Sequence, residues 1–146
     1  MKYIDGDLIT LTRKGYFDVI GHGCNCFLNM NAGIAKSIKE AFPEVYSADW
    51  TTRKGDRKKL GTASYVDYGD FVVLNLYTQF DYGPGLRADY DAIRKCMKYI
   101  KNRYSGRKIG LPMIGAGLAG GDWNIISKII EEELEDEDVT VVRFKK

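Results

Sequence analysis

Apolar residues recur along this chain at two spacings. Short β-branched and aliphatic runs predict strands, and apolar residues three and four apart predict helices. Lys2-Tyr3-Ile4 reads as a short strand, closed by a turn at Asp5-Gly6-Asp7. Leu8 to Leu11 fits either a further extended piece or a helical turn. Phe17-Asp18-Val19-Ile20-Gly21-His22 predicts a stronger strand, followed by a loop from Gly23 to Asn31. A helix is expected from Ala32, with Ile34, Ala35, Ile38, Ala41 and Phe42 on one face and Pro43 as its stop. Glu44 to Arg53 predicts a short helix turning Val45, Tyr46 and Trp50 inward. Gly61 to Val66 and Phe71 to Tyr77 flank a hairpin turn, Asp67-Tyr68-Gly69-Asp70. A long helix from about Ala88 to Tyr104 carries the stripe Ile93, Cys96, Met97, Ile100 and Tyr104, and Ser105-Gly106 ends it. Lys108 to Leu111 predicts a buried strand. Asp122 is the expected cap of a helix burying Trp123, Ile126, Ile129, Ile130 and Leu134, and Val139 to Phe144 is the last strand.

Strands alternating with helices predict an α/β fold, a sheet covered on both faces in an α/β/α sandwich. No repeat, linker or composition break divides the chain, so residues 1–146 read as one domain. In such sheets ligands bind beyond the C-terminal ends of strands, where loops lead into helices. Two glycine-bearing loops of that kind occur, one after His22 and one after Ile114. The second holds Gly115, Gly117, Gly120 and Gly121 between a strand and a helix N-terminus, an arrangement suited to an anion. Two such loops would grip a diphosphate from both sides. Gly115, Gly117 and Gly120 also fit the dinucleotide fingerprint G-x-G-x-x-G. That motif normally opens its domain and needs a carboxylate at the tip of the next strand. Here only one helix and one strand follow, and the strand ends in Arg143-Phe144-Lys145-Lys146. A glycine-rich loop that merely turns tightly is the plainer alternative.

Composition narrows the setting. A hydrophobic content of 45% supports a real core, and a net charge of +2 says little about partners. Three cysteines and one histidine make neither a disulfide framework nor a zinc site, so buried reduced thiols in a cytoplasmic protein are expected. The N-terminus lacks a signal-peptide core, and no apolar run reaches the roughly 18 residues of a membrane span. No membrane partner, metal or cofactor is expected, and the chain is expected to act as a monomer. The acidic run Glu131 to Asp138 reads as a solvated face.

Three stretches together resemble the macrodomain pattern. They are Gly6-Asp7-Leu8-Ile9; His22-Gly23-Cys24-Asn25, with Gly33-Ile34-Ala35 eight residues on; and Pro112-x-Ile114-x-x-Gly117-x-x-Gly120. The resemblance spans nearly the whole chain. His-x-Cys-Asn-Cys and Leu76-Tyr77-Thr78 are most similar to the yeast-type and phage ADP-ribose 1''-phosphate phosphatases. It implies a three-layer α/β/α macrodomain with a mixed, largely parallel sheet and a ligand that is ADP-ribose or a derivative. It also implies roles. Asp7 would accept from the adenine amino group and the Leu8 N–H would face the base. Asn25 would bind the distal ribose. Asn31, Ala32, Gly33 and Ile34 would lie on the diphosphate, opposite Gly115, Ala116, Gly117 and Leu118. Phe144 would pack on adenine.

Two departures bear on activity. Asn31-Ala32-Gly33 replaces a common triple glycine, and Ala119 stands where an aromatic often closes on the distal ribose. The lysine and aspartate of a related ADP-ribosyl glycohydrolase fall near Gln79 and on Ala119, so that route lacks both groups. The resemblance to the phosphatases implies hydrolysis of ADP-ribose 1''-phosphate to ADP-ribose and phosphate as the expected activity. De-ADP-ribosylation of a protein or nucleic acid, O-acyl-ADP-ribose deacylation, and non-catalytic ADP-ribose reading are the alternatives. His22, the only side chain titrating near neutrality when unperturbed, is the candidate general acid, with Asn25 beside it. A nucleophile and a ring that merely fixes its loop are the other readings of His22. Tyr77, Phe80, Asp81 and Tyr82 are candidates for the rim. The basic turn Arg53 to Lys59 reads as a solvated loop or a polyanion site for RNA or poly-ADP-ribose.

Overall fold

The two spacings resolve into a six-stranded sheet with helices on both faces, in a computed structural model that describes residues 1–145. The strands are β1 (Lys2–Gly6), β2 (Val19–Cys24), β3 (Ala63–Asp67), β4 (Val72–Tyr77), β5 (Lys108–Leu111) and β6 (Asp138–Phe144). The helices are α1 (Leu8–Arg13), α2 (Gly33–Ala41), α3 (Pro43–Asp49), α4 (Tyr90–Tyr104) and α5 (Trp123–Glu133), with a single 3-10 turn at Arg57–Lys59. The sheet order is β1-β6-β5-β2-β4-β3. All neighbours are parallel except β3, which pairs antiparallel with β4 at one edge. The fold is thus the mixed, largely parallel three-layer sandwich expected of the chain.

Side-chain alternation along β2 shows how the layers form. Val19 packs with Leu74, Leu76, Ile109 and Leu111 against α4 and α5. Ile20 points the other way, into a layer built with Ile38, Phe42 and Val45 of the α2–α3 region. Each of these aliphatic side chains is fully or nearly buried, and each such burial stabilises the fold by roughly 1.5–3 kcal/mol. The seam between β2 and β5 is short: only Val19↔Ile109 and Ile20↔Gly110 are paired.

Local chemistry sets the helix ends. Leu8 to Leu11 is helical rather than extended, because the Asp7 carboxylate accepts from the Thr10 N–H at 3.0 Å and caps α1. Pro43 separates two helices and takes the first position of α3, where its missing N–H is harmless. Asp89 and Asp122 cap α4 and α5 through the N–H groups of Ala92 and Asn124. The three cysteines are free and buried. The acidic run that ends α5 and follows it is less solvated than its composition suggests. Arg94 bonds Glu133 at 2.6 Å, and Glu137 takes Lys101 at 2.6 Å, Ser105 Oγ at 2.7 Å and the Gly106 N–H at 2.8 Å. Among the described residues no helix is long and apolar enough to cross a membrane.

Candidate functional site

The parallel strands deliver their C-terminal ends to one side of the sheet, and a cleft of about 1080 Å³ opens there. Its walls come from the two loops singled out in the sequence. One wall holds Asn25, Asn29, Ala32, Gly33 and Ile34; the other runs from Pro112 to Ala119. Gly6, Leu8 and Phe144 line one end, Gln79 and Tyr82 the other. A smaller hollow of about 380 Å³ lies elsewhere, between Met1, Ile130, Leu134 and Glu135.

The cleft is rich in main-chain donors. Ala32 caps α2 without any side-chain hydrogen bond, leaving the first-turn N–H groups of Ile34 and Ala35 to point off the helix end. Gly33 has φ +59°, a left-handed backbone that a side chain disfavours. Across the cleft, the N–H groups of Gly117, Leu118 and Ala119 make no hydrogen bond among the described residues. The loop that holds them is closed by Ala116 N–H to Met113 O, Gly120 N–H to Gly117 O and Gly121 N–H to Gly115 O. The two walls meet at one point. Leu118 is 72% exposed, and its Cδ1 lies only 3.2 Å from where a Cβ on Gly33 would sit. Leu118 and Gly33 thus bridge the cleft between two arrays of N–H groups, a geometry suited to a diphosphate.

Asn25 lines the cleft with its carboxamide held at both atoms. Oδ1 accepts from the Phe27 N–H at 2.9 Å, and Nδ2 donates to Asn29 O at 2.9 Å. The second hydrogen of Nδ2 remains for a ligand. Leu8, Ala32, Gly33, Ile34, Gly115, Ala116, Gly117, Leu118, Ala119 and Phe144 all line the cleft. Asp7 flanks it between Gly6 and Leu8, with Oδ1 engaged as the α1 cap. Asn31 does not line it; its Oδ1 accepts from Lys39 Nζ at 2.7 Å on the exposed surface. Asn29, Ser37 and Arg143 line it without having been assigned a ligand from sequence. Asn29, four residues from Asn25 in a loop of asparagines, was the readable signal among them.

His22 is not available as an acid. It is fully buried, outside the cleft lining, on the face of β2 that packs under α3. Asn75 Nδ2 donates to Val45 O at 2.9 Å and to Ser64 Oγ at 3.0 Å, which turns Asn75 Oδ1 toward the ring. The 2.7 Å contact to that oxygen therefore assigns the proton to His22 Nε2. Burial, opposed by the Asn75 bond, drives the ring's pKa down from 6.5 to about 4. At neutral pH the imidazole is neutral, and its one N–H, bonded to Asn75, is too weak an acid to serve as a general acid. Cys24 Sγ sits 3.8 Å from Nδ1 and 3.7 Å from Nε2, so it lies against the ring rather than along a lone pair. Burial also raises the Cys24 thiol well above its ordinary pKa, so the Cys24–His22–Asn75 trio is not a poised nucleophile.

The rim residues divide. Tyr82 lines the cleft, whereas Tyr77 is buried and donates to Asp49. Phe80 stacks edge-on with Phe27 at 5.0 Å and carries the Arg57 guanidinium 3.8 Å from its centroid. Asp81 pairs with Arg87 at 3.1 Å. Gln79 and Ala119, the positions of the glycohydrolase lysine and aspartate, both line the cleft and supply neither charge. In the basic turn Lys59 is buried, while Arg53, Lys54, Arg57 and Lys58 are exposed.

A three-layer sheet with two main-chain walls closing over its strand ends defines a macrodomain-type sandwich. The model of the Macro domain family matches residues 22–130, and the chain belongs to that family. It is 36% identical, over 99% of its length and 97% of the relative's, to an uncharacterised 17.5 kDa protein of the tk-vs intergenic region of Enterobacteria phage T4. A protein of unknown function from Bacteroides thetaiotaomicron superposes with a TM-score of 0.76 at 28% identity, covering 97% of this chain and 96% of that one. The Thermosipho africanus DarTG structure in complex with ADP-ribose has the same fold, with a TM-score of 0.75 at 19% identity, covering 99% of this chain and 41% of that one.

Proposed function

We propose that the cleft binds ADP-ribose and its derivatives, and that the chain hydrolyses ADP-ribose 1''-phosphate to ADP-ribose and phosphate. The observation that carries this reading is the pair of facing main-chain donor arrays, Ile34–Ala35 and Gly117–Ala119, bridged by Leu118 and Gly33. A diphosphate between them would meet N–H groups from both sides. Adenine would lie between Leu8 and Phe144, with Asp7 Oδ2 beside it, and Asn25 Nδ2 would donate to the distal ribose. The ADP-ribose held by the Thermosipho relative supports the same occupant.

Hydrolysis at the distal end would proceed without a side-chain acid. Water attacks phosphorus in line and the P–O bond to the ribose breaks. Free N–H groups of the Gly117–Ala119 segment steady the charge on the phosphoryl oxygens, and solvent protonates the leaving oxygen. Lacking an acid, this route predicts slow turnover. The ADP-ribose reader is the second reading, favoured by one observation: Cys24, Tyr82 and Arg143 are the only titratable side chains among the described lining residues, and none is a carboxylate or histidine. An ADP-ribosylated protein or nucleic acid would then be its partner. In either case action in the cytoplasm fits three buried, free thiols.

Calorimetry with ADP-ribose, together with phosphate release from ADP-ribose 1''-phosphate in chelator, tests both. Binding with release, both weakened by Asn25→Ala, is the expected result. Binding without release above the buffer rate leaves the reader; no binding removes both.

A further inference from the structure

A buried ammonium grips the turn that carries Asn25. Cys24 O accepts the Thr78 N–H at 3.2 Å, Cys26 N–H donates to Phe80 O at 2.8 Å, and Cys26 O accepts the Gly55 N–H at 2.7 Å. Cys26 O takes a second bond, 3.3 Å long, from Lys59 Nζ. Cys26 O and the Phe27 N–H belong to one peptide unit. Its oxygen is held by Lys59 and Gly55, and its N–H donates to Asn25 Oδ1 at 2.9 Å. A planar peptide clamped at one end cannot rotate at the other. The orientation of the Asn25 carboxamide therefore depends on what holds Cys26 O.

Lys59 is an unusual choice for that task. It is only 7% exposed, and its Nζ lies 4.6 Å from the Tyr77 ring centroid. Burial strips an ammonium of its hydration, and an apolar side chain would fill the same space without that loss. Its surroundings are arranged for a cation. The Tyr77 ring face is turned to it, and the Tyr77 hydroxyl donates at 2.6 Å to Asp49, a buried carboxyl with Oδ2 free of hydrogen bonds among the described residues. The charge polarises the Cys26–Phe27 peptide and strengthens the N–H that Asn25 Oδ1 accepts.

We propose that Lys59 is a positioning residue: it orients Asn25 through the shared peptide and so sets the preference for a ligand that carries a distal ribose. The proposal rests on the ADP-ribose reading of the cleft. ADP fills the adenine and diphosphate regions but lacks that ribose, so it serves as the internal control. Calorimetry on the wild-type chain should show ADP-ribose binding more tightly than ADP. Lys59→Met should weaken ADP-ribose by about tenfold, the equivalent of one hydrogen bond, and leave ADP within about twofold. Lys59→Arg, which keeps a cationic donor, should restore part of the preference. Equal losses for both nucleotides, or unchanged ADP-ribose affinity, would overturn the role of Lys59. If Lys59→Met does not fold, Lys59→Gln, whose shorter neutral head falls short of Cys26 O, is held to the same criterion. A wild-type chain that binds neither nucleotide sinks the cleft reading itself, an outcome distinct from failure of Lys59 alone.

Discussion

His22 is a neutral donor sealed under α3, and its substitution should register in stability rather than in ligand handling. His22→Ala removes the partner of Asn75 Oδ1 and opens a cavity, a loss of about 2–4 kcal/mol in chemical denaturation. Measured on the folded fraction, ADP-ribose affinity should stay within about twofold, since the ring lies outside the cleft. The folded pKa is depressed from 6.5 to about 4, so the unfolded chain takes up its proton first. The stability contributed by the neutral ring is complete above about pH 6.5 and is lost progressively as pH falls toward 4. Ring carbon shifts that titrate near neutrality in the folded protein would contradict this assignment. Part of it was legible in the sequence. Ile20 and His22 are two apart on one strand and share a face, so a buried Ile20 implies a buried His22. What the sequence concealed was Asn75, which arrives from β4 and holds the Nε2 proton, partly opposing the lowering of the pKa by burial. Asp7 is the milder case: in sequence it reads as a turn residue with an adenine role, and the structure engages its Oδ1 as the α1 cap.

The ends of two elements decide much at the next scale. The α2 N-terminus combines a side-chain-free cap with Gly33, at φ +59° beneath Leu118. Gly33→Ala would strain the backbone and push against Leu118, costing about 1–2 kcal/mol in a denaturation curve. Binding of ADP and ADP-ribose should fall together, since both carry the diphosphate. Both loops could be found from sequence because glycine content and helix-start signals are local. The α4–α5 connection could not, because it depends on distant charges. Glu137 gathers Lys101, Ser105 and the Gly106 N–H, which hold its carboxylate down from 4.5 to about 2. The sign follows: this tie is fully present above about pH 4.5 and is lost as pH falls toward 2. Glu137→Gln should lower the urea midpoint at neutral pH and flatten its decline between about pH 4.5 and 2. A decline as steep as wild type would place the acid sensitivity elsewhere.

Across the whole molecule, the cleft joins residues 23–35 to residues 112–119 over a β2–β5 seam of only two paired positions. A ligand held by both loops should brace that seam. ADP-ribose at about a hundred times its dissociation constant should add about 2.7 kcal/mol of stability. Amide exchange should slow at Ile20 and Gly110 as well as in the loops, and slowing confined to one loop would argue for a one-sided site. The order of strands in the sheet carries a further consequence. β5 and β6 lie between β1 and β2, so two strands from late in the sequence are inserted between two made much earlier. Until β6 arrives, β1 has no neighbour, and until β5 arrives, β2 lacks one side. Synthesis order and assembly order are therefore reversed at this sheet, and a nascent chain halted before β5 would hold an incomplete sheet with its binding floor unmade.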